Sequence, residues 1–181
     1  MNDLRYPIGP YEPNSELTEE NREVLIRQVE TQPSLLRRIV ESLTHEQRET
    51  PYRPGGWTVQ QVVHHLADNN MNAYIRFKRG LTEDAPSSPP YREDLWAEFP
   101  DYRLLMVEES LVLLNILHRR FAVLLSALES QGFQRTLSHS VLGKITLDEA
   151  LHRFVWHNRH HIAQISSLCK RMGWITRTQE Q

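Results

Sequence analysis

From Leu104 to Leu128 the positions Leu104, Val107, Leu111, Leu114, His118, Phe121, Leu125 and Leu128 alternate steps of three and four. That stepping keeps side chains on one side of an α-helix and scatters them over both faces of a strand. A helix over 103–129 follows, and its apolar stripe needs other stripes to cover it. The chain supplies three. Leu25, Val29, Leu36, Ile39, Val40 and Leu43 keep one phase across Pro33, which predicts a helix over 18–43, kinked at the proline or built of two coaxial segments. Val59, Val62, Val63, Leu66, Ala73, Tyr74 and Phe77 predict a helix over 58–80, opened by a capping box from Thr58 to Gln61. Leu147, Leu151, Phe154, Val155, Ile162, Ile165, Cys169 and Met172 predict the last, over 147–172. A second box, Thr146 to Glu149, opens it and Gly173 stops it. The expectation is an all-α four-helix bundle with long connections, folded as a single domain over 1–181.

The connections read differently. Residues 1–17, with Pro7, Pro10, Pro13 and two tyrosines, read as an extended strap laid on the domain, or as a dimer arm. Thr44 to Gln47 opens one short helical turn, and Pro51 to Trp57 is rich in turn residues. The loop from Thr82 to Pro100 holds Pro86, Pro89 and Pro90, with Tyr91 and Trp96 as aromatic anchors. Residues 132–145 suit one hairpin or an ordered loop.

Charge and composition remove several classes of function. Lys plus Arg is 21 against 23 for Asp plus Glu, with no basic block, so neither nucleic acid nor an anionic membrane is an expected partner. The longest apolar runs are broken by Asn115, His118, Arg119 and Arg120, too short to span a bilayer, and the first residues lack the apolar core of a signal peptide. One cysteine, Cys169, excludes an internal disulfide and fits a reducing cytoplasm; on an apolar stripe it reads as packing rather than a nucleophile. With seven glycines the chain has no Gly-x-Ser-x-Gly, phosphate loop or Rossmann fingerprint.

What remains is histidine, of which there are nine. His157 and His161 are four apart, one above the other on a helix, and two imidazoles so placed can reach one divalent ion. Imidazole suits zinc, nickel, copper and iron. Turning each residue by about 100°, His65 falls at the edge of the second stripe beside Asn69 and Asn72. His161 lies against the fourth stripe, with His157 beside it and Gln164 further out. His64 points nearly opposite its stripe, and His152 and His160 face away from theirs. His118, inside a stripe, reads as a core histidine bonded to a backbone carbonyl. His45 and His139 carry no spacing signal. Two metal motifs fail: Asn158 stands where a zincin needs glutamate, and the one Glu-x-x-His pair, Glu149 with His152, projects outward. Three neutral imidazoles, His65, His157 and His161, leave a tetrahedral ion one open position, as catalytic sites do.

Several stretches resemble YfiT-type members of the DinB superfamily. These are Thr50-Pro51-Tyr52-Arg53 through Gly55-Gly56-Trp57-Thr58-Val59 into His64-His65-Leu66-Ala67-Asp68, and Tyr6-Pro7-Ile8-Gly9 near the start. Arg76-Phe77-Lys78 before Leu81-Thr82-Glu83, and Val155-Trp156-His157 with His160-His161-Ile162-Ala163, match as well. The resemblance covers nearly the whole chain. It implies a four-helix bundle holding one divalent metal per chain on His65, His157 and His161, the set that helical phase also selects. Zinc is the expected ion and nickel the alternative. Gln164 departs from the pattern, since similar sequences often have histidine there. Homodimers are usual in such proteins. Members commonly bear the provisional label of metal-dependent hydrolase, and related proteins are bacillithiol or mycothiol S-transferases.

Three functions follow as expectations: transfer of a small thiol to an electrophile, hydrolysis by a metal-activated water, and metal-dependent binding without turnover. The acids nearest the ligands in sequence, Asp68 and Glu149, are not clearly aimed inward, so a general base for hydrolysis is missing. That favours a thiol, which a metal holds as thiolate without further deprotonation. Trp57, Tyr91 and Trp96 are candidate cleft-wall residues, with packing as the competing reading.

Overall fold

Threonine hydroxyls start half of the helices among the described residues. In the computed structural model, which describes residues 3–14, 17–140 and 142–174, Thr18 caps α1 (Glu19–Glu41), Thr44 caps α2 (His45–Arg48) and Thr58 caps α3 (Val59–Thr82). Each accepts the backbone N–H three residues on, and each box is closed by the side chain there, Asn21, Gln47 or Gln61. The chain then passes through β1 (Ser87–Ser88), α4 (Glu93–Trp96), α5 (Pro100–Leu104), α6 (Val107–Ser126) and α7 (Ser130–Phe133). Next come β2 (Thr136–His139), β3 (Gly143–Thr146) and α8 (Leu147–Met172). At α8 the expected box is half formed: Thr146 accepts the Glu149 N–H, but Thr146 also ends β3, opposite Thr136. Gly173, with φ of 67°, adopts the left-handed conformation that closes α8.

Two expectations about element limits change. The helix read over 103–129 is two helices. Leu105 and Met106 are extended, and Leu104, in phase with the stripe, is 81% exposed on α5 rather than part of the core. Pro100 at the first turn of α5 nucleates a separate short helix whose phase the stripe happens to share. The hairpin read within 132–145 exists as β2 and β3, and β1 from the proline-rich loop pairs in parallel with β2 to make a three-stranded sheet. α1, by contrast, is one helix through Pro33.

α6 and α8 each pack against both α1 and α3, so the consecutive long helices α1 and α3 are diagonal in the bundle. Neighbouring helices can be joined by short turns; diagonal ones need the long connections this chain has. α3 and α8 run antiparallel: Asn70 meets Asn158, and Gly80 lies under Leu147, whose Cδ2 would sit 2.9 Å from a Cβ built there. A side chain at Gly80 would force the Leu147 side chain to shift.

The core divides into two apolar clusters. One holds Leu36, Val63, Leu111 and Ile165; the other holds Val29, Phe77, Phe121 and Phe154. Between them every long helix contributes one buried polar residue: Gln32, Asn70, His118 and Asn158. Asn70 and Asn158 exchange amide hydrogen bonds of 2.7 and 3.1 Å, and Asn70 Nδ2 also lies 2.8 Å from His118 Nε2. Gln32 Nε2 donates to the Val155 carbonyl. Such a layer stabilises only when its members are paired, so it penalises any sliding of one helix along another.

The described part of the leading segment lies along α8. Tyr6 packs on His160, Tyr11 on His152 and Trp156, and the Arg5 carbonyl accepts from Gln164.

Candidate metal centre

The register fixed by Asn70 and Asn158 carries the neighbouring positions of both helices with it. One turn before Asn69, His65 on α3 faces His157 and His161 on α8. Its ring centroid lies 5.4 Å from that of His157 and 4.9 Å from that of His161, and the α8 pair are 4.6 Å apart. One nitrogen from each ring falls within 4.8 Å of the others. Among the described residues no Cys, Asp or Glu joins them.

Burial sets their protonation. His65 is 1% exposed, and burial pushes it down to about 4. His157 and His161 are held well below the ordinary imidazole range, first by burial and then by the neighbouring histidines. All three are neutral near pH 7, the state in which imidazole donates to a metal.

The hydrogen bonds test whether a cation fits. Both ring nitrogens of His65 are buried and have no partner among the described residues. A buried polar atom left so costs about 1–3 kcal/mol, which a bound ion would remove. His161 Nδ1 lies 2.9 Å from Gln164 Oε1, an acceptor, so Nδ1 carries the proton and Nε2 keeps its lone pair. The Asn69 amide lies 3.2 Å from His157 Nδ1; with its oxygen turned to the ring it accepts the Nδ1 proton and leaves the Nε2 lone pair to a metal. Side chains that orient a histidine from behind in this way are the usual support of a metal site. The residues present fit a divalent ion.

Sequence reasoning placed other side chains less well. His64, expected to point away from the core, is 4% exposed with Nδ1 2.8 Å from Ser110 Oγ, because α3 is covered by α6 and α5 as well as by α8. His160, expected to face outward, is buried between Tyr6 and Trp156, on which it stacks at 4.9 Å. The leading segment covers that side of α8, and no periodicity within α8 signals it. His152 is half-buried against Tyr11 for the same reason. Neither His64 nor His160 joins the cluster. Gln164, placed further out, is 2% exposed and links His161 to the Arg5 carbonyl and His160 Nε2. His118 donates to a backbone carbonyl, that of Val29. Asp68 is turned to α5, where the Tyr102 hydroxyl donates to it at 2.7 Å.

A cavity of about 700 Å³ opens beside the triad, bordered by His157, His161, Trp57, Tyr91, Tyr6 and His160. Trp57 also packs on His65 at 4.8 Å. Trp96 is not on the wall; it packs behind Tyr91 at 4.5 Å.

A four-helix bundle with three converging neutral histidines beside a small-molecule cavity defines a metal-competent helical protein. The chain belongs to the DinB superfamily, whose model matches residues 28–165. It is 47% identical over 174 residues to a protein of Bacillus cereus strain B4264 named "Putative metal-dependent hydrolase", covering 96% of this chain and all of that one. A relative of the same name in Bacillus anthracis strain A0248 is equally similar. Among solved structures, YfiT from Bacillus subtilis superposes with a TM-score of 0.92 at 47% identity, over 95% of this chain and 99% of that one. It is described as "a probable metal-dependent hydrolase with an unusual four-helix bundle topology".

Proposed function

We propose that this chain is a divalent-metal-dependent enzyme for small molecules, with one zinc ion per chain held by His65, His157 and His161. The observation that carries this is the His65 imidazole, buried with both nitrogens unpartnered, facing two neutral histidines. Nickel also suits three imidazoles; zinc suits a tetrahedral site with one open position better. When bound, the ion supplies Lewis-acid activation of a nucleophile at that position.

The nucleophile we propose is a small thiol, transferred to an electrophile. Among the described residues, the one charged group other than histidine that bears on His157 is Arg153, one turn away, and none bears on His161; Glu93 and Asp94 border the cavity but bear on neither ring. Asp68 is committed to Tyr102. Hydrolysis normally calls on a base to take a proton from water, whereas a thiolate needs none. The chain's own residues orient and enclose: Gln164 and Asn69 set the rings of His161 and His157, while Trp57 and Tyr6 wall the cavity against water.

Hydrolysis is the second reading. It is favoured by the relatives' names and by His160, which borders the cavity with its Nδ1 buried and unpartnered among the described residues. The two separate in one assay. Zinc-loaded protein is given monobromobimane with and without N-acetylcysteine, and in parallel a panel of esters and amides without thiol. Zinc-dependent conjugation above background supports transfer; ester or amide cleavage without conjugation supports hydrolysis.

A further inference from the structure

Two lines of side chains run away from the triad along the cavity. On α8, His161, His157 and Arg153 are spaced by four and share a face; on α3, His65, Asn69, Ala73 and Arg76 follow steps of four, four and three. Because the helices are antiparallel, with Asn70 at Asn158 and Gly80 at Leu147, both lines point the same way. Both end in an arginine, and both arginines line the cavity.

These guanidiniums are unusually free. Arg153 makes no hydrogen bond or ion pair among the described residues and only lies over the Tyr11 ring at 5.2 Å. Arg76 uses one N–H, to the Pro89 carbonyl at 3.1 Å. Each is half-buried. Burial, and then the charge of Arg153, lowers Arg76 from its ordinary value. Glu93 faces the same space and attracts Arg153, but it forms no ion pair with either arginine. His139, on the hairpin, is held neutral by burial and by the two arginines. Elsewhere, Arg22, Arg37, Arg79 and Arg92 each bond a carboxylate. Holding two like charges side by side in a partly dry groove is unfavourable unless an anion joins them, and guanidinium forks match a carboxylate.

We infer that Arg76 and Arg153 form an anion subsite that recognises a carboxylate on the small molecule whose reacting group lies at the three histidines. Arg153 stands one turn from His157, about 6 Å along the axis, so the carboxylate and the reacting atom sit a few bonds apart. This deepens the proposed function, on which it rests for the reacting group alone; the carboxylate contact itself needs no thiol.

The probe for the subsite is succinate, titrated into zinc-loaded protein while the arginine Nε–Hε NMR signals are followed. Saturable shifts of the Arg76 and Arg153 signals, absent in Arg76→Gln and Arg153→Gln, are expected. A second arm compares N-acetylcysteine with its uncharged amide. The acid should bind about tenfold more tightly in the unaltered protein, and the two alike in either variant, with zinc content and melting temperature unchanged. No succinate shift of these signals, or an acid preference that survives both substitutions, overturns the subsite. Succinate binding with no binding of either thiol leaves the subsite standing and removes the thiol reading instead.

Discussion

His118 Nδ1–H donates to the Val29 carbonyl at 2.6 Å, and Val29 is the acceptor that Pro33 leaves without its helical partner. Proline has no N–H, so the bond from residue 33 to residue 29 cannot form. An imidazole from α6 replaces it, and Asn70 satisfies the other ring nitrogen. This is how α1 carries a proline through the middle of the bundle without ending there.

His118→Leu should therefore lower stability by about 2–4 kcal/mol, since it strands the Val29 carbonyl and opens the Asn70–Asn158 network. Pro33→Ala returns the missing amide, so the double variant should recover part of the loss. Urea unfolding of the four-member cycle measures this, and strictly additive losses would show that the two residues are not coupled.

The same histidine makes stability depend on pH. Burial pushes its folded value down to about 4, below the ordinary value of 6.5. Between those values the unfolded chain takes up the proton and the folded one does not. Its contribution is complete above about 6.5 and is lost as pH falls toward 4, by up to about 3 kcal/mol. Unfolding free energies of metal-free protein across that window should fall with acid, and His118→Gln should flatten the slope.

How much of this could be read from the chain depends on where each signal lies. The stripes of α1, α3 and α8 are local periodicities, so their limits and the phase of His65, His157 and His161 are legible within each helix. Leu104 misleads because stepping by three and four registers phase and is blind to the extended pair Leu105 and Met106. His160 and Gln164 are buried by a segment more than a hundred residues away in sequence, which no pattern inside α8 can report. The polar layer is hidden for a related reason: Gln32, Asn70, His118 and Asn158 look like interruptions until four helices bring them to one level.

Gln164 would act on a bound metal through His161. Gln164→Ala removes the acceptor for His161 Nδ1 and should weaken zinc binding by about 10–100-fold, as loss of an orienting partner typically does. A competition titration with a chelator of known affinity reads this directly; unchanged affinity would mean that Gln164 only anchors the leading segment.

Arg22 and Asp148 join α1 to the start of α8 with two bonds, 2.7 and 3.1 Å, and the aspartate side chain is 1% exposed. Arg22→Met leaves that carboxylate with the Gln134 amide and no cation, and should cost about 3–5 kcal/mol in urea unfolding at pH 7. A loss below 1 kcal/mol, as for an exposed pair, would contradict this description of the site.

The central claim is the three-histidine centre, and metal content per chain tests it most directly. Protein loaded with zinc, desalted and measured by elemental analysis should hold about one ion per chain. His65→Ala, His157→Ala and His161→Ala should each lose it, while His64→Ala, also buried but bonded to Ser110, should keep it. Stoichiometric zinc in all four variants, or equal loss from all four, would contradict the assignment.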